Sequence, residues 1–283
     1  MGDNSTIRSK ERRQEDQAYM PVIIKRNDED RRHPDDILAK VIAEGVEQHE
    51  RSNLSLYLSA LTAGLILGFA AMSVAIVLQV LPNPDNLFLN RLVMALVYPM
   101  GFIICIISGT ELFTEHTATA VYPVLDRKAS LSSLVNLWII VLIGNLTGTL
   151  ISAFLMYLAE PVILAQNGFI EIAHHLLEFS FGEVFISAVL AGWLMAQGGW
   201  LIFATKHGSS QIVCIYIVTF IIGLGSLHHS IAGSAEIFYG LFAQPNPDYF
   251  SSFKFLVSAI FGNLIGGSFF VAILNYAHIK KTQ

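Results

Sequence analysis

The stretch 221–238, IIGLGSLHHSIAGSAEIF, cannot be an ordinary membrane helix. It lies inside a long apolar run, yet it carries His228, His229, Glu236 and three glycines. Ionisable groups at membrane depth are costly, and by default they mark a pathway or a binding site. Gly223, Gly225 and Ser226 stand just before the histidines and predict that the helix is interrupted there. Unwound backbone at that depth survives only where protein or a water-filled cavity satisfies its polar groups. The stretch therefore reads as a broken helix at the centre of a membrane pore.

The rest of the chain fits that setting. Of 17 Lys+Arg, 10 fall in residues 1–53, as do 12 of the 22 Asp+Glu, so the remaining 230 residues are too poor in charge for a soluble protein. Residues 1–33 are polar and charged, lack the apolar residues of a core, and are expected to form a disordered cytoplasmic arm. Over 34–53, Pro34-Asp35-Asp36 marks a helix start. Ile37, Leu38, Val41, Ile42 and Val46 then recur at helical spacing, predicting an amphipathic helix that ends near Gly45 or shortly after. The first apolar run begins only at Leu54, so no secretory signal peptide is expected. Cys105 and Cys214 both fall in apolar spans, which argues for buried thiols rather than a disulfide framework or a metal cluster.

Six spans are predicted, at 54–80, 88–125, 131–158, 181–204, 211–242 and 253–277. The turn LPNPDN ends the first, and QPNPDYF precedes the last. The second is too long for one helix and contains the polar patch SGTELFTEHT at 108–117. With an even number of spans, both termini share a side. Arg127, Lys128, Lys206, Lys280 and Lys281 join the arm there, and only Arg91 and Lys254 lie opposite, so the termini are expected in the cytoplasm.

The two halves echo each other. One break is expected at Ser108-Gly109 and the other at Gly225-Ser226, each followed by a Gly-Asn pair, Gly144-Asn145 and Gly262-Asn263. The separations are 35 residues (109 to 144) and 37 (225 to 262). Three spans per half is odd, so the second copy would enter the membrane from the opposite side, as an inverted-topology repeat. The predicted class is an all-α integral membrane protein with a 3+3 inverted repeat. Its first repeat covers 54–158, an extracytoplasmic linker 159–179, the second repeat 180–277 and a cytoplasmic tail 278–283. In such folds half-helix N-termini meet near the midplane and present free N–H groups, which suits an anion.

On GTELFT (109–114), GNLTG (144–148), HSIA (229–232) and GNLIGG (262–267), the chain resembles the formate–nitrite transporter family over all six spans. The resemblance implies an aquaporin-like protomer in an inner membrane, a homopentamer with one pore per protomer, and passage of small weak-acid anions such as formate or nitrite. It places an apolar constriction at Leu112 and Phe113, the threonine facing the central histidine at Thr114, that histidine at His229, and further narrow positions at Phe102 and Ile222. Gly109, Gly225 and Ser226 are the helix breaks, supported by Gly144, Asn145, Gly262 and Asn263. Apolar rings exclude hydrated ions by dewetting, and an imidazole can exchange a proton with a weak acid near neutral pH.

Several positions depart from that pattern. His228 stands where the family usually has glutamate, Gly233 where it has asparagine, and Gln211 where it has a lysine, while Glu115 and His116 follow Thr114. Glu115 and His228 are therefore selectivity candidates. Two alternatives stand beside the anion channel: a channel for a neutral or cationic solute, with Glu115 decisive, and a membrane sensor or scaffold whose working part is the arm. No nucleophile–base pair stands out, so an enzyme is not expected. His174 and His175 lie beside Glu171 and Glu178, but a solvated amphipathic segment is the preferred reading there. No metal, cofactor or nucleic-acid partner is expected.

Overall fold

A computed structural model describes residues 33–81 and 87–281, and every described element is helical. The predicted arm and most of the LPNPDN turn lie outside the described residues. Five helical stretches are long and apolar enough to cross a membrane: Asn53–Val80, Phe88–Ile107, Leu131–Leu158, Phe181–Ala204 and Tyr249–Lys280. A sixth apolar helix, Gly208–Leu224, is shorter.

The chain opens with α1 (Pro34–Glu50), capped by the His33 side chain, which accepts from the Asp35 N–H. Ile37, Leu38, Val41 and Ile42 bury its apolar face as the spacing predicts. The helix does not stop at Gly45. That glycine is a contact point, since a Cβ there would lie 2.6 Å from the Thr119 carbonyl oxygen and 2.7 Å from the Pro123 ring. The missing side chain lets α1 lie against the body of the protein and leaves the helix intact to Glu50.

Two long helices follow the same plan, α2 (Asn53–Val80) and, further on, α7 (Leu131–Leu158); each starts on a serine N-cap, Ser52 and Ser130. Between them lie α3 (Leu87–Val97), α4 (Pro99–Ile107), α5 (Phe113–Thr119) and α6 (Tyr122–Leu125). The segment 159–179 is two helices, α8 (Glu160–Ile163) and α9 (Gln166–Leu177). Then come α10 (Phe181–Ala204), α11 (Gly208–Leu224), α12 (Ser230–Ala243) and α13 (Tyr249–Gly267). A π-helical turn at Ser268–Ile273 leads into α14 (Leu274–Lys281). The fifth predicted span thus starts at Gly208 rather than Gln211, because His207 occupies the extended cap position.

Small residues set the closest helix pairs. In the α2–α7 crossing a Cβ on Gly64 would come 2.2 Å from the Asn145 carbonyl oxygen, and one on Gly148 would come 2.2 Å from that of Leu61. In the α10–α13 crossing the corresponding distances are 2.3 Å from Gly192 to the Asn263 oxygen and 2.2 Å from Gly266 to that of Val189. Backbones this close gain dispersion contacts that lipid cannot supply, which is how helices associate in a bilayer. Leu58, Phe69, Ile139, Ile143, Phe154 and Ile186 stay exposed on the outer faces of these helices, as a bilayer or a neighbouring protomer requires.

At the α6 end, Asp126 pairs with Lys128 at 2.9 Å and Lys280 at 3.6 Å and accepts from the Tyr276 hydroxyl at 3.2 Å. Burial pushes its carboxyl up, but the hydrogen bond and charge of Lys128, then Tyr276 and Lys280, hold it below the ordinary carboxylate range. A depressed carboxylate stabilises the fold above its unfolded value and loses that contribution as pH falls, so this tie between loop and tail weakens in acid.

Candidate functional site

Two helix interruptions build the site, and they are made alike. Helix α4 ends at Ile107, with Gly109 at φ 66°. The Gly109 N–H then donates to the Ile106 carbonyl at 3.0 Å and that of Thr110 to Cys105 at 3.4 Å. Helix α11 ends at Leu224, with Ser226 at φ 49°. Its Ser226 N–H donates to Gly223 at 3.1 Å and its Leu227 N–H to Ile222 at 3.0 Å. Both are Schellman closures, which need one left-handed residue. Glycine supplies it freely at 109, whereas Ser226 holds that conformation with a side chain.

After each closure the chain runs extended and starts a new helix. Leu112 (φ −98°, ψ 122°) and His229 (φ −103°, ψ 120°) occupy equivalent N-cap positions. Asn145 clamps the first interruption. Its Oδ1 accepts from the Phe113 N–H at 2.8 Å, and its Nδ2 donates to the carbonyls of Glu111 at 2.9 Å and Ala60 at 2.8 Å. Asn263 repeats this with the Ser230 N–H at 2.8 Å and the carbonyls of His228 at 3.1 Å and Ala188 at 2.8 Å. Gly144 and Gly262 make room for the clamps, since a Cβ on either would meet an alanine Cβ, of Ala60 or Ala188, at 2.6 Å.

The new helices α5 and α12 meet through their first turns. Thr114 Oγ1 lies 2.7 Å from His229 Nε2, and both residues are buried. His229 Nδ1 accepts from the Ala232 N–H at 3.1 Å. That nitrogen therefore carries no proton, and in the neutral ring Nε2–H donates to the threonine oxygen. The Thr114 hydroxyl proton is left to donate elsewhere. The Phe102 ring stands edge-on to His229 at 5.0 Å between centroids. His229 and Ile222 line a cavity of about 210 Å³ that is also walled by Ile172 and Leu176 of α9 and is mostly apolar, with Tyr98, Arg91 and Glu236 among its polar groups. Leu112 and Phe113 are buried at the start of α5, beside Thr114.

A family description, Formate/nitrite transporter, matches residues 35–277. The chain belongs to the formate/nitrite transporter family. It is 33% identical over 243 residues to the Inner membrane protein YfdC of Escherichia coli (strain K12), covering 84% of this chain and 76% of that one. Among solved structures, one titled FNT family ion channel superposes with a TM-score of 0.78 at 18% identity, covering 86% of this chain and 98% of that one. Another, a pentameric formate channel with formate bound, gives a TM-score of 0.70 at 20% identity over 81% and 98%. This is therefore an integral membrane protein of the transporter or channel kind.

Within this formate/nitrite transporter family member, the departures have local causes. His228 is buried between Phe179 and Phe255, at 5.2 and 5.6 Å between ring centroids, and neither ring nitrogen has a hydrogen-bond partner among the described residues. At Gly233, Phe255 fills the space a side chain would need, 2.8 Å from an added Cβ. Glu115 is partly buried on α5 and faces Gly199 of α10, whose added Cβ would lie 3.3 Å from the glutamate Cγ. It does not line the cavity beside His229. Gln211 donates to the Ile202 carbonyl at 3.3 Å.

One further group of the GTELFT motif, Glu111, belongs to the first interruption. Its buried carboxylate forms an ion pair with Arg51 and lies against His116 Nε2. His116 Nδ1 lies 3.0 Å from Gln48 Oε1, so the pair ties α1 to the first interruption. An acidic residue at membrane depth was the available signal.

Proposed function

We propose that this protein conducts small monovalent weak-acid anions, of the formate or nitrite kind, through a pore in each protomer. The observation that carries the reading is the 2.7 Å contact between Thr114 and His229 where two helix N-termini meet among apolar side chains. Partial positive charge at those ends attracts an anion, while Phe102, Leu112, Phe113 and Ile222 strip its water. A free hydroxyl proton on Thr114, backed by His229 Nε2–H, can hold the anion or pass it a proton. The acid then crosses the dry part uncharged. Gly109, Gly225 and Ser226 interrupt the two helices, and the Gly-Asn pairs at 144–145 and 262–263 hold the interruptions open.

The matching Schellman closures, asparagine clamps and glycine crossings support a 3+3 inverted repeat, with α3–α6 and α11–α12 as its interrupted spans. That reading keeps the repeats at 54–158 and 180–277, the linker at 159–179 outside, and the arm 1–33, helix 34–53 and tail 278–283 in the cytoplasm. The protein assembles as a homopentamer in the inner membrane, and mass measurement of the solubilised protein tests this; a monomer or dimer overturns it.

Flux into liposomes, compared for formate, nitrite, acetate, ammonium and water, tests the function. Selective passage of the weak acids is the expected result, and passage of ammonium or water alone overturns it. The same assay tests Glu115. A carboxylate near the path repels an anion; two unit charges about 4 Å apart interact by roughly 4 kcal/mol at an effective dielectric of 20. Glu115→Ser is expected to raise formate flux several-fold and leave assembly unchanged. Unaltered flux would mean that the carboxyl acts only on α10.

A further inference from the structure

The cavity beside His229 contains a carboxyl group that the threonine–histidine pair does not use. Glu236 lies on α12, seven residues beyond His229, which places it about 10 Å further along the same helix face. It is only 6% exposed, and it lines the cavity. No hydrogen bond or ion pair reaches its side chain among the described residues. The charged and titratable groups that share the cavity are Arg91 of α3, Tyr98 between α3 and α4, Glu171 and His175 of α9, and His229 at the cap of its own helix. The remaining walls are largely aliphatic, including Val74, Leu78 and Ile222. A carboxylate buried there without a partner is strongly disfavoured, and a group so placed holds a proton instead. A protonated carboxyl donates a hydrogen bond, which an entering anion can accept.

We propose that Glu236 is the proton donor and the selecting residue of this cavity. The inference rests on the weak-acid reading above. An anion entering from the α9 side meets Glu236 before His229. The Glu236 O–H bond breaks, an O–H bond forms on the substrate oxygen, and the negative charge stays behind on Glu236, in a cavity that also contains Arg91. The neutral acid moves on to Thr114 and His229, and a proton from the outer solution, carried by water at the cavity mouth, returns to Glu236. Such a cavity passes anions whose conjugate acids are weak enough to take a proton from a carboxyl, such as formate, nitrite and acetate. It rejects anions of strong acids, such as nitrate and chloride.

The test compares the full-length wild type, E236Q and E236D in liposomes, with formate and nitrate as probes and the outer pH varied. Glutamine keeps the shape and a hydrogen-bond donor but cannot release a proton. E236Q is expected to flatten the dependence of formate uptake on outer pH and to lower the formate-to-nitrate ratio about tenfold, with E236D restoring both in part. Infrared spectra of the wild type should show a protonated carboxyl band that formate shifts and that E236Q lacks. Superimposable pH profiles for wild type and E236Q, with wild-type flux present, overturn this inference alone. So does a variant that loses ammonium flux while its formate flux is unchanged, because Glu236 would then be a cation site. Absence of any weak-acid flux in the wild type overturns both this inference and the function on which it rests. If E236Q does not assemble, the wild-type infrared band decides, and its absence overturns the proposal.

Discussion

Asn145→Ala should prevent stable assembly, and Asn263→Ala should do the same. Each asparagine is fully buried and makes three hydrogen bonds, two of them to backbone groups of an interruption. Phe113 N–H and the Glu111 carbonyl, or Ser230 N–H and the His228 carbonyl, would lose the partner that the asparagine supplies. A buried group left unsatisfied costs about 1–3 kcal/mol, so two such groups cost about 2–6 kcal/mol, a large share of the stability of a folded domain. Aspartate would keep the acceptor but lose the donor and bury a charge, so it should not rescue either site. Asn136 is the control. It is exposed and reaches Asn53 at 3.3 Å, so Asn136→Ala should change stability by less than about 0.5 kcal/mol. Thermal unfolding of the solubilised protein, followed by the survival of its oligomer, measures all of these. If Asn145→Ala and Asn136→Ala melt together, the clamp does not hold the interruption.

His229→Asn is expected to leave assembly intact and to change how weak-acid flux depends on pH. Asparagine is a good N-cap, and its Oδ1 can accept from the Ala232 N–H as His229 Nδ1 does at 3.1 Å. Its amide can donate to Thr114, but it cannot give up and recover a proton. If the imidazole relays the substrate's proton through Thr114 during passage, its loss removes a positioned acid–base group, a contribution typically of order 10²-fold or more. Wild-type formate flux should therefore rise steeply as pH falls from about 8 to 5, and the variant should stay low and nearly flat. Thr114→Val tests the same contact from the other side, leaving the His229 Nε2–H without its partner at 2.7 Å. Superimposable wild-type and His229→Asn profiles with substantial flux would make His229 a helix cap and nothing more.

How much of this was legible before the fold was known depends on the kind of signal. Positions of low charge and long apolar runs fix where helices can lie in a bilayer, because backbone groups there must bond within their own segment. The third and fourth predicted spans match α7 and α10 to the residue for that reason. Glycine and serine at 109 and 225–226 marked the interruptions, because a left-handed residue is rare elsewhere in such a run. Gly45 alone does not fix where α1 ends, since the same residue type ends a helix in one setting and lets two helices touch in another.

The sequence by itself therefore determined the membrane class, the all-helical character, where the two long apolar runs are interrupted and, through GTELFT, HSIA and the Gly-Asn pairs, the family. Those are local properties: hydropathy, backbone freedom and short motifs. Only the tertiary structure decided which groups meet. Thr114 and His229 are 115 residues apart in the chain, yet 2.7 Å apart in the fold. Glu111 is claimed by Arg51 and His116, while Glu236, written as plainly in the sequence, lines a cavity with no hydrogen bond or ion pair to its side chain among the described residues. Whether a buried carboxyl is a clasp or a free proton carrier depends on what the other helices bring to it. That information resides in the packing, because the partners are separated by whole spans and no short-range pattern links them.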